Sequence, residues 1–348
     1  MPIESNQIKF MKSHSVNDTA SNGGRMSDVE AANSVKNNLW PDVPASERAA
    51  GSIRFRKLFI KIASPDNLIL RDARVFIQTP TPAGDRVVFF AGTQRDVMAN
   101  VSGVAQIQYG TGMLNADVAI GASVITVNVE DPDDTIFRPG QMIRLSNKTS
   151  VHDLTHSEDF IRIASTPGSV TWNGSLATLT LAAGATLANA YPPSDTLVAS
   201  VLEAGDIIAR TDSWGLATSA GRLGGWNGAG TPPATLADLQ MVDSIAGIEQ
   251  TWTLIFTSAS AFSCVGDTVG QVGGGSILED FAPNNPAYSR PYFTIPASLF
   301  GGIWAAGNAL TFTTHPAALP IWEKRVVPPG TDSLSGNRVT IGLCGESE

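Results

Sequence analysis

The sequence predicts a mainly β protein: a β-sandwich built from antiparallel strands, with an inserted small β-barrel or sandwich module and an extended N-terminal arm carrying one short helix. Three observations predict it. Apolar residues alternate with polar ones in short runs, as on a half-buried strand, and do not recur at helical spacing. Gly, Pro, Asn and Asp bound these runs, and 33 glycines and 21 prolines in 348 residues leave little room for long helices. At 43% hydrophobic and 16% charged, the chain is too apolar for disorder and long enough for substantial cores.

Residues 1–52 read as the arm. The first 26 are polar and aperiodic and are expected to order only on docking. Ser27-Asp28-Val29-Glu30 fits a capping box, which predicts a short helix to about Lys36, closed by Asn37-Asn38 and stopped by Pro41. From Ile53 the period becomes two. Ile53 and Phe55 are followed by Leu58, Ile60 and Ile62 one residue out of step, which predicts a bulge near Lys57. Ala73, Val75 and Ile77 predict one face of the next strand, and Val87–Phe90 and Val104–Tyr109 two more, separated by Pro- and Gly-rich turns.

Five short strand signals occupy 111–210: GASVITVNVED, PGQMIRLSN, EDFIRIAS, SVTWNGSLATLTL and SDTLVASVLEAGD. They predict a small barrel or sandwich, with Asn173-Gly174 as a two-residue type I′ hairpin turn. Thr211–Gly230 is Gly-rich and reads as a linker or long loop. TWTLIFTSA alternates strictly, with Trp252, Leu254 and Phe256 on one face, and PYFTIP, NALTFTT, IWEKRVVP and NRVTIGL predict four more strands. Neither 53–110 nor the C-terminal region has enough elements to cover its own sheet. The expected organisation is therefore one body made of 53–110 plus 211–348, with 111–210 inserted; two sandwiches in series are the alternative.

Charge and composition exclude several function classes. Residues 1–62 hold nine Lys/Arg against six acids, whereas the remainder holds 14 against 26. A basic leading segment on an acidic body suits an acidic neighbour, a second copy included. Its bases are too sparse, and too little interleaved with aromatics, for a nucleic-acid track. The uncharged stretches 164–194 and 291–322 are interrupted by Thr, Gly and Pro, so no membrane partner is expected, and MPIESNQIKF lacks the apolar core of a secretion signal. Cys264 and Cys344, 80 residues apart, offer neither metal spacing nor a disulfide framework.

No chemistry stands out. His152 and His156, at i and i+4 beside Asp153, Glu158 and Asp159, form the one dense set of potential metal ligands, but they fall between predicted strands, where a solvated loop is expected. Asp131-Pro132-Asp133-Asp134 lacks the glycine and glutamate of a calcium loop, and Gly221–Gly230 lacks the lysine of a phosphate cradle. No nucleophile elbow or patterned carboxylate pair is present, so neither enzymatic activity nor a cofactor is expected. His315 ends a strand and reads as structural. Trp214, Trp226, Trp304 and Trp322 lie in or beside Gly/Pro-rich connections, where indoles can stack on sugars or anchor a partner. Trp172 and Trp252 fall in strands and read as core; Trp40, before Pro41, reads as an anchor for the arm.

Three sets of segments carry a resemblance. VKNNLWPDVPASERAAGSIRFRKLFIKI, with ARVFI and VVFFAGTQRD, resembles virion proteins encoded among the structural genes of tailed bacteriophages and prophages. The strand signals of 111–210 are similar to a small β-module of many phage tail and baseplate proteins, and PYFTIPASLFGGIWAAGNALTFTTHPAALPIWEKRVVPPG resembles the C-terminal region of the same proteins. Together they cover most of 27–345. The resemblance implies a non-enzymatic virion subunit, in the tail or baseplate, made in the bacterial host cytoplasm and contacting copies of itself and neighbouring tail or baseplate proteins. On that basis residues 1–52 are expected to thread across an adjacent subunit, with Trp40 as apolar anchor and Arg48, Arg54 and Arg56 as charge-assisted contacts. The alternatives are a tail-tip protein that binds a host receptor or surface glycan through Trp214 and Trp226, and a head decoration or neck protein.

Overall fold

The computed structural model describes residues 2–150, 153–211, 242–300 and 304–347. Two strands open the chain, β1 (Ile8–Ser15) and β2 (Gly23–Glu30), followed by helix α1 (Ala45–Ala50), β3 (Ser52–Ile62), β4 (Leu70–Thr79), β5 (Arg86–Ala91) and the one-turn helix α2 (Met98–Val101). The inserted region supplies β6 (Thr111–Leu114), β7 (Val124–Asn128), β8 (Met142–Ser146), β9 (Glu158–Arg162), β10 (Val170–Asn173), β11 (Leu176–Thr180) and β12 (Leu197–Ser200). Then come β13 (Leu202–Ile207), β14 (Arg210–Thr211), β15 (Gln250–Phe256), β16 (Ala261–Gly266), β17 (Gly270–Ser276), β18 (Asn284–Asn285), β19 (Arg290–Pro291), β20 (Ala309–His315), β21 (Ala318–Val327) and β22 (Thr340–Ser347). All pairings are antiparallel, and the fold is mainly β.

The residues read as an arm are part of a sheet. β1 pairs with β3 from Ile8↔Ile62 to Lys12↔Leu58, and β2 adds outside it, giving the order β2-β1-β3-β21-β5. The predicted helix from Ser27 is absent: Ser27–Glu30 lie in β2, where the Ser27 hydroxyl accepts from Val29 N and donates across to Lys12 O. Sheet pairing outcompetes a marginal local cap because Ile8 and Phe10 can bury against a core while an isolated short helix cannot. The helices form elsewhere, at α1 and α2.

β3 explains the apparent phase shift at Lys57. It runs unbroken beside β21 through ten paired residues, Ser52↔Val327 to Lys61↔Ala318, with no bulge. Both of its faces are covered, so each face has its own alternation. Leu58, Ile60 and Ile62 share one face, while Phe55, Lys57, Phe59 and Lys61 share the other, and both lysines are buried. The first face packs with Ile321 and Phe89 against Val75, Ile77 and Leu202 of a three-stranded sheet ordered β13-β4-β22. Segments 53–110 and 318–347 thus alternate within the same two layers.

A third layer is ordered β14-β20-β15-β16-β17. Its inner face carries Trp252, Leu254, Phe256, Phe262, Cys264, Leu310 and Phe312, all buried, as the Trp252/Leu254/Phe256 alternation predicts. Phe281, Tyr292, Phe293, Ile295 and Trp304 cover it, and PYFTIP serves as this cover, contributing only β19 and two single bridges, Val242↔Phe293 and Phe281↔Ile295. Val104–Tyr109 is likewise no strand; only Tyr109 bridges to Phe89.

The insertion is a barrel. Its sheet, β10-β11-β7-β6-β12-β8-β9, curls until Ile163 bridges Leu181, with Ala164 N donating to Thr180 O and Ala182 N to Arg162 O. The curled sheet encloses a core of Val127, Ile143, Leu145, Ile163, Leu179 and Val198. The hairpin turn lies one residue later than expected: Asn173 pairs with Leu176, and only Gly174 has a positive φ (58°), the pattern of a II′ turn. The last predicted strand splits at buried Val201 into β12, in the barrel, and β13, in the sandwich.

Candidate functional site

Trp40, Arg54 and Arg56 converge at one end of the β3–β21 ladder. The register places Glu323 opposite Arg56 and Arg325 opposite Arg54, so four charged side chains fall on two adjacent strands. Trp40 lies on the irregular crossing between β2 and α1. Its indole N–H donates to Glu323 Oε2 at 2.5 Å, and the guanidinium carbons of Arg56 and Arg325 lie 5.0 and 4.6 Å from its ring centroid. Arg56 also donates to Leu39 O, Asn17 O and Asp18 Oδ1, and Arg325 to Pro41 O. Arg54 bridges Glu47 of α1 to Asp18.

Within the chain these contacts give the group a structural role. Trp40, Arg54 and Arg56 fasten residues 17–18 and 39–47 onto the body of their own chain. Arg48 stands apart from the cluster: its carbonyl accepts from Gly330 N, and its side chain donates to Val43 O at 3.5 Å. The physical reason is burial. Arg56, Glu323 and Arg325 are 3%, 3% and 6% exposed, and groups that dry need partners inside the chain.

The electrostatics follow. Burial pushes the Glu323 carboxyl up to about 7, against the opposing pull of Trp40 and Arg325. Burial likewise lowers Arg325, whose Nε and Nη2 have no hydrogen-bond partner among the described residues. At Asp18 partial burial works against ionisation, but Arg56 and Arg54 outweigh it and hold the carboxyl below its usual range. The cluster is a latch, made of charge, hydrogen bonds and a ring.

Two buried lysines and one histidine form polar anchors; in the sequence Lys57 reads only as the site of a bulge and His315 only as structural, and Lys61 is not singled out. Lys57 Nζ lies 2.6 Å from Asp96 Oδ1 and donates to Gly24 O, and burial lowers its pKa despite Asp96. Lys61 donates to Ile245 O beneath the Tyr288 ring, and burial lowers it to about 8. Glu249 joins His315 Nδ1 (2.6 Å) to Arg95 Nε (2.6 Å); burial would raise its carboxyl, but these two partners lower it. A cleft of about 180 Å³ opens beside this pair, lined by Gln94, Asp206, Ile208, Arg210 and His315. For the two lysines the signal was a charged residue inside an apolar run, as in Phe59-Ile60-Lys61-Ile62.

His152 lies outside the described residues. His156 is in an exposed loop with Nδ1 2.7 Å from Asp153 Oδ2, and hydrogen bonds from Thr149 and Thr155 lower the Asp153 carboxyl. No group of three or more His, Cys, Asp or Glu side chains able to hold a metal occurs among the described residues. Trp214 and Trp226 also lie outside them. Trp304, read as a loop tryptophan, is buried and stacks on Phe256 at 4.0 Å, and Trp322 is buried with its N–H on Asp96 Oδ2. Neither presents a sugar platform. No helix among the described residues is long and apolar enough to cross a membrane. The chain matches no protein-family model and no curated protein.

Proposed function

We propose that the chain is a non-enzymatic structural subunit of a bacteriophage particle, placed in the tail or baseplate and present in several copies. The observation that carries this reading is the correspondence between resemblance and architecture. The segments similar to virion proteins are those that build β3, β5, the closed barrel, β20 and β21, the elements on which the fold depends. Its partners are further copies of itself and neighbouring tail or baseplate proteins. They meet its outer surfaces, since the N-terminal residues are folded onto their own body.

Immunogold labelling of purified particles tests the proposal. Several copies of label around the tail or its base are expected. Particles that carry no label would overturn it.

A further inference from the structure

On the face of β3 turned away from Val75 and Ile77, Lys57 stands directly opposite Trp322 of β21. The loop after β5 folds over both and brings Asp96 with it, and Gly92 N anchors that loop on Pro320 O. Lys57 and Trp322 are fully buried, and the Asp96 side chain is 10% exposed. Phe59 and Trp322 wall the site, their ring centroids 4.9 and 5.8 Å from Lys57 Nζ. Gly92 leaves it room, since a Cβ there would come within 2.9 Å of the indole and 3.4 Å of Asp96 Oδ2.

Lys57 and Asp96 are close without being an ordinary ion pair. Nζ lies 2.6 Å from Oδ1, yet Oδ1 accepts no properly aligned hydrogen bond among the described residues. The ammonium donates instead to Gly24 O at 2.6 Å and to Asp96 O at 3.0 Å. Oδ2 accepts from both Trp322 Nε1–H, at 3.0 Å, and Thr93 N–H, at 3.1 Å. One carboxyl oxygen is thus held by two neutral donors, while the other sits bare beside the nitrogen. Burial lowers the Lys57 pKa against the pull of Asp96 and Glu249, which moves the nitrogen towards its amine form.

We propose that Lys57 Nζ and the Asp96 carboxyl condense into an intramolecular amide that cross-links the chain. A proton first passes from the ammonium to Oδ1, leaving an amine and a carboxylic acid. The two remaining N–H groups stay on Gly24 O and Asp96 O, so the lone pair is left facing the carboxyl. Nζ then attacks Cγ, and negative charge collects on Oδ2 between Trp322 Nε1–H and Thr93 N–H. One nitrogen proton moves to Oδ1, the Cγ–Oδ1 bond breaks, and Oδ1 leaves as water. Ammonium and carboxylate become one secondary amide and one water, with no oxidant or cofactor. The bond closes residues 57–96 into a ring and joins β3 to the loop after β5 across β21, which lies between those two strands.

Intact-mass measurement and tryptic mapping of the full chain test the cross-link. The native chain is expected to weigh one water less than its sequence. Trypsin should not cut after Lys57, and the peptides carrying Lys57 and Asp96 should be joined. Lys57→Arg keeps the charge but has no amine nucleophile, and is expected at its full sequence mass. Trp322→Phe keeps an aromatic ring but removes one donor to Oδ2. In a time course after cell-free synthesis it should form the bond about a hundredfold more slowly. A native chain at its full sequence mass would overturn the proposal. So would a lost water that persists in Lys57→Arg or maps to other residues. If Lys57→Arg does not fold, the peptide map of the native chain decides alone.

Discussion

Glu323→Gln isolates the electrostatics of the Trp40 latch. The amide keeps the shape of the carboxyl and an oxygen to accept from Trp40 Nε1, but it cannot ionise. In the native chain burial moves the Glu323 carboxyl from 4.5 to about 7. Each unit of such a shift corresponds to about 1.4 kcal/mol, so the full effect is about 3 kcal/mol. The group is an acid whose folded pKa lies above its unfolded one. Its contribution is therefore fully present below about pH 4.5 and is lost as pH rises through about 7, where the unfolded chain has already released the proton that the folded chain retains. Urea unfolding of the native chain and of Glu323→Gln, compared from about pH 4 to about pH 8, should show the native chain losing about 3 kcal/mol relative to the variant. Other titrating groups cancel in the difference. Two curves that stay parallel across that range would refute the claim that Glu323 is held in a dry, underpaired site.

Trp40→Ala removes the hydrogen bond to Glu323 and two cation–π contacts, and is expected to cost about 3 kcal/mol; limited proteolysis should then cut first in the crossing between β2 and α1. Lys61→Met replaces a buried base whose folded pKa, about 8, lies below its unfolded value of 10.5. The penalty for burying that charge is present below about pH 8 and relieved as pH rises towards 10.5, so the advantage of Lys61→Met should shrink by about 3 kcal/mol over that interval in unfolding titrations. Gly23→Ala forces a side chain onto a residue with φ of 105° and puts its Cβ 2.6 Å from the Trp322 ring, and calorimetry should show a loss of about 2 kcal/mol or more.

The parts of this fold legible in the sequence are those in which one face is continuously apolar and the other mostly polar. Ala73, Val75 and Ile77 alternate with Arg74 and Gln78, and Trp252, Leu254 and Phe256 alternate with threonines; both patterns mark strands whose inner residues are buried. Legibility fails where both faces are covered or where tertiary pairing decides. Lys57 and Lys61 break the apolar run of β3 and mimic a bulge, because a lysine can be buried if a carboxylate or carbonyl waits at its tip. β1 has only Ile8, Phe10 and Met11 as apolar signal among Lys, Ser and His, too little to outweigh the polar residues around it. β16 and β17 escaped notice because glycines fill the latter. The latch was half visible: Trp40, Arg54 and Arg56 were named, but Glu323 and Arg325 become their partners only through a register that joins residues some 270 positions apart.

The barrel shows how an insertion can be both autonomous and rigidly placed. Its entry and exit meet at a neck where Ser200 N donates to Gly110 O and Gly110 N to Ser200 Oγ, so the surrounding sheets need not deform to admit it. A neck alone would leave a hinge. Two further ties remove that freedom. On one side β5 sends Val88 into the barrel core, while Arg86 bonds Asp131 and Asp134, and Lys324 of β21 lies 3.0 Å from Asp134. On the other, Phe76 of β4 packs edge-on to Phe160 with the Arg144 guanidinium 4.6 Å from its ring. Asp134 is nearly dry and its partners Arg86 and Lys324 belong to the body, so rotating the barrel would leave a buried carboxylate unpaired, a cost of several kcal/mol that no gain in chain freedom offsets. Charge pairs at a junction add little net stability, but they make every other orientation expensive. The multi-copy role proposed for this chain would use that specificity, since every copy must present the same surfaces.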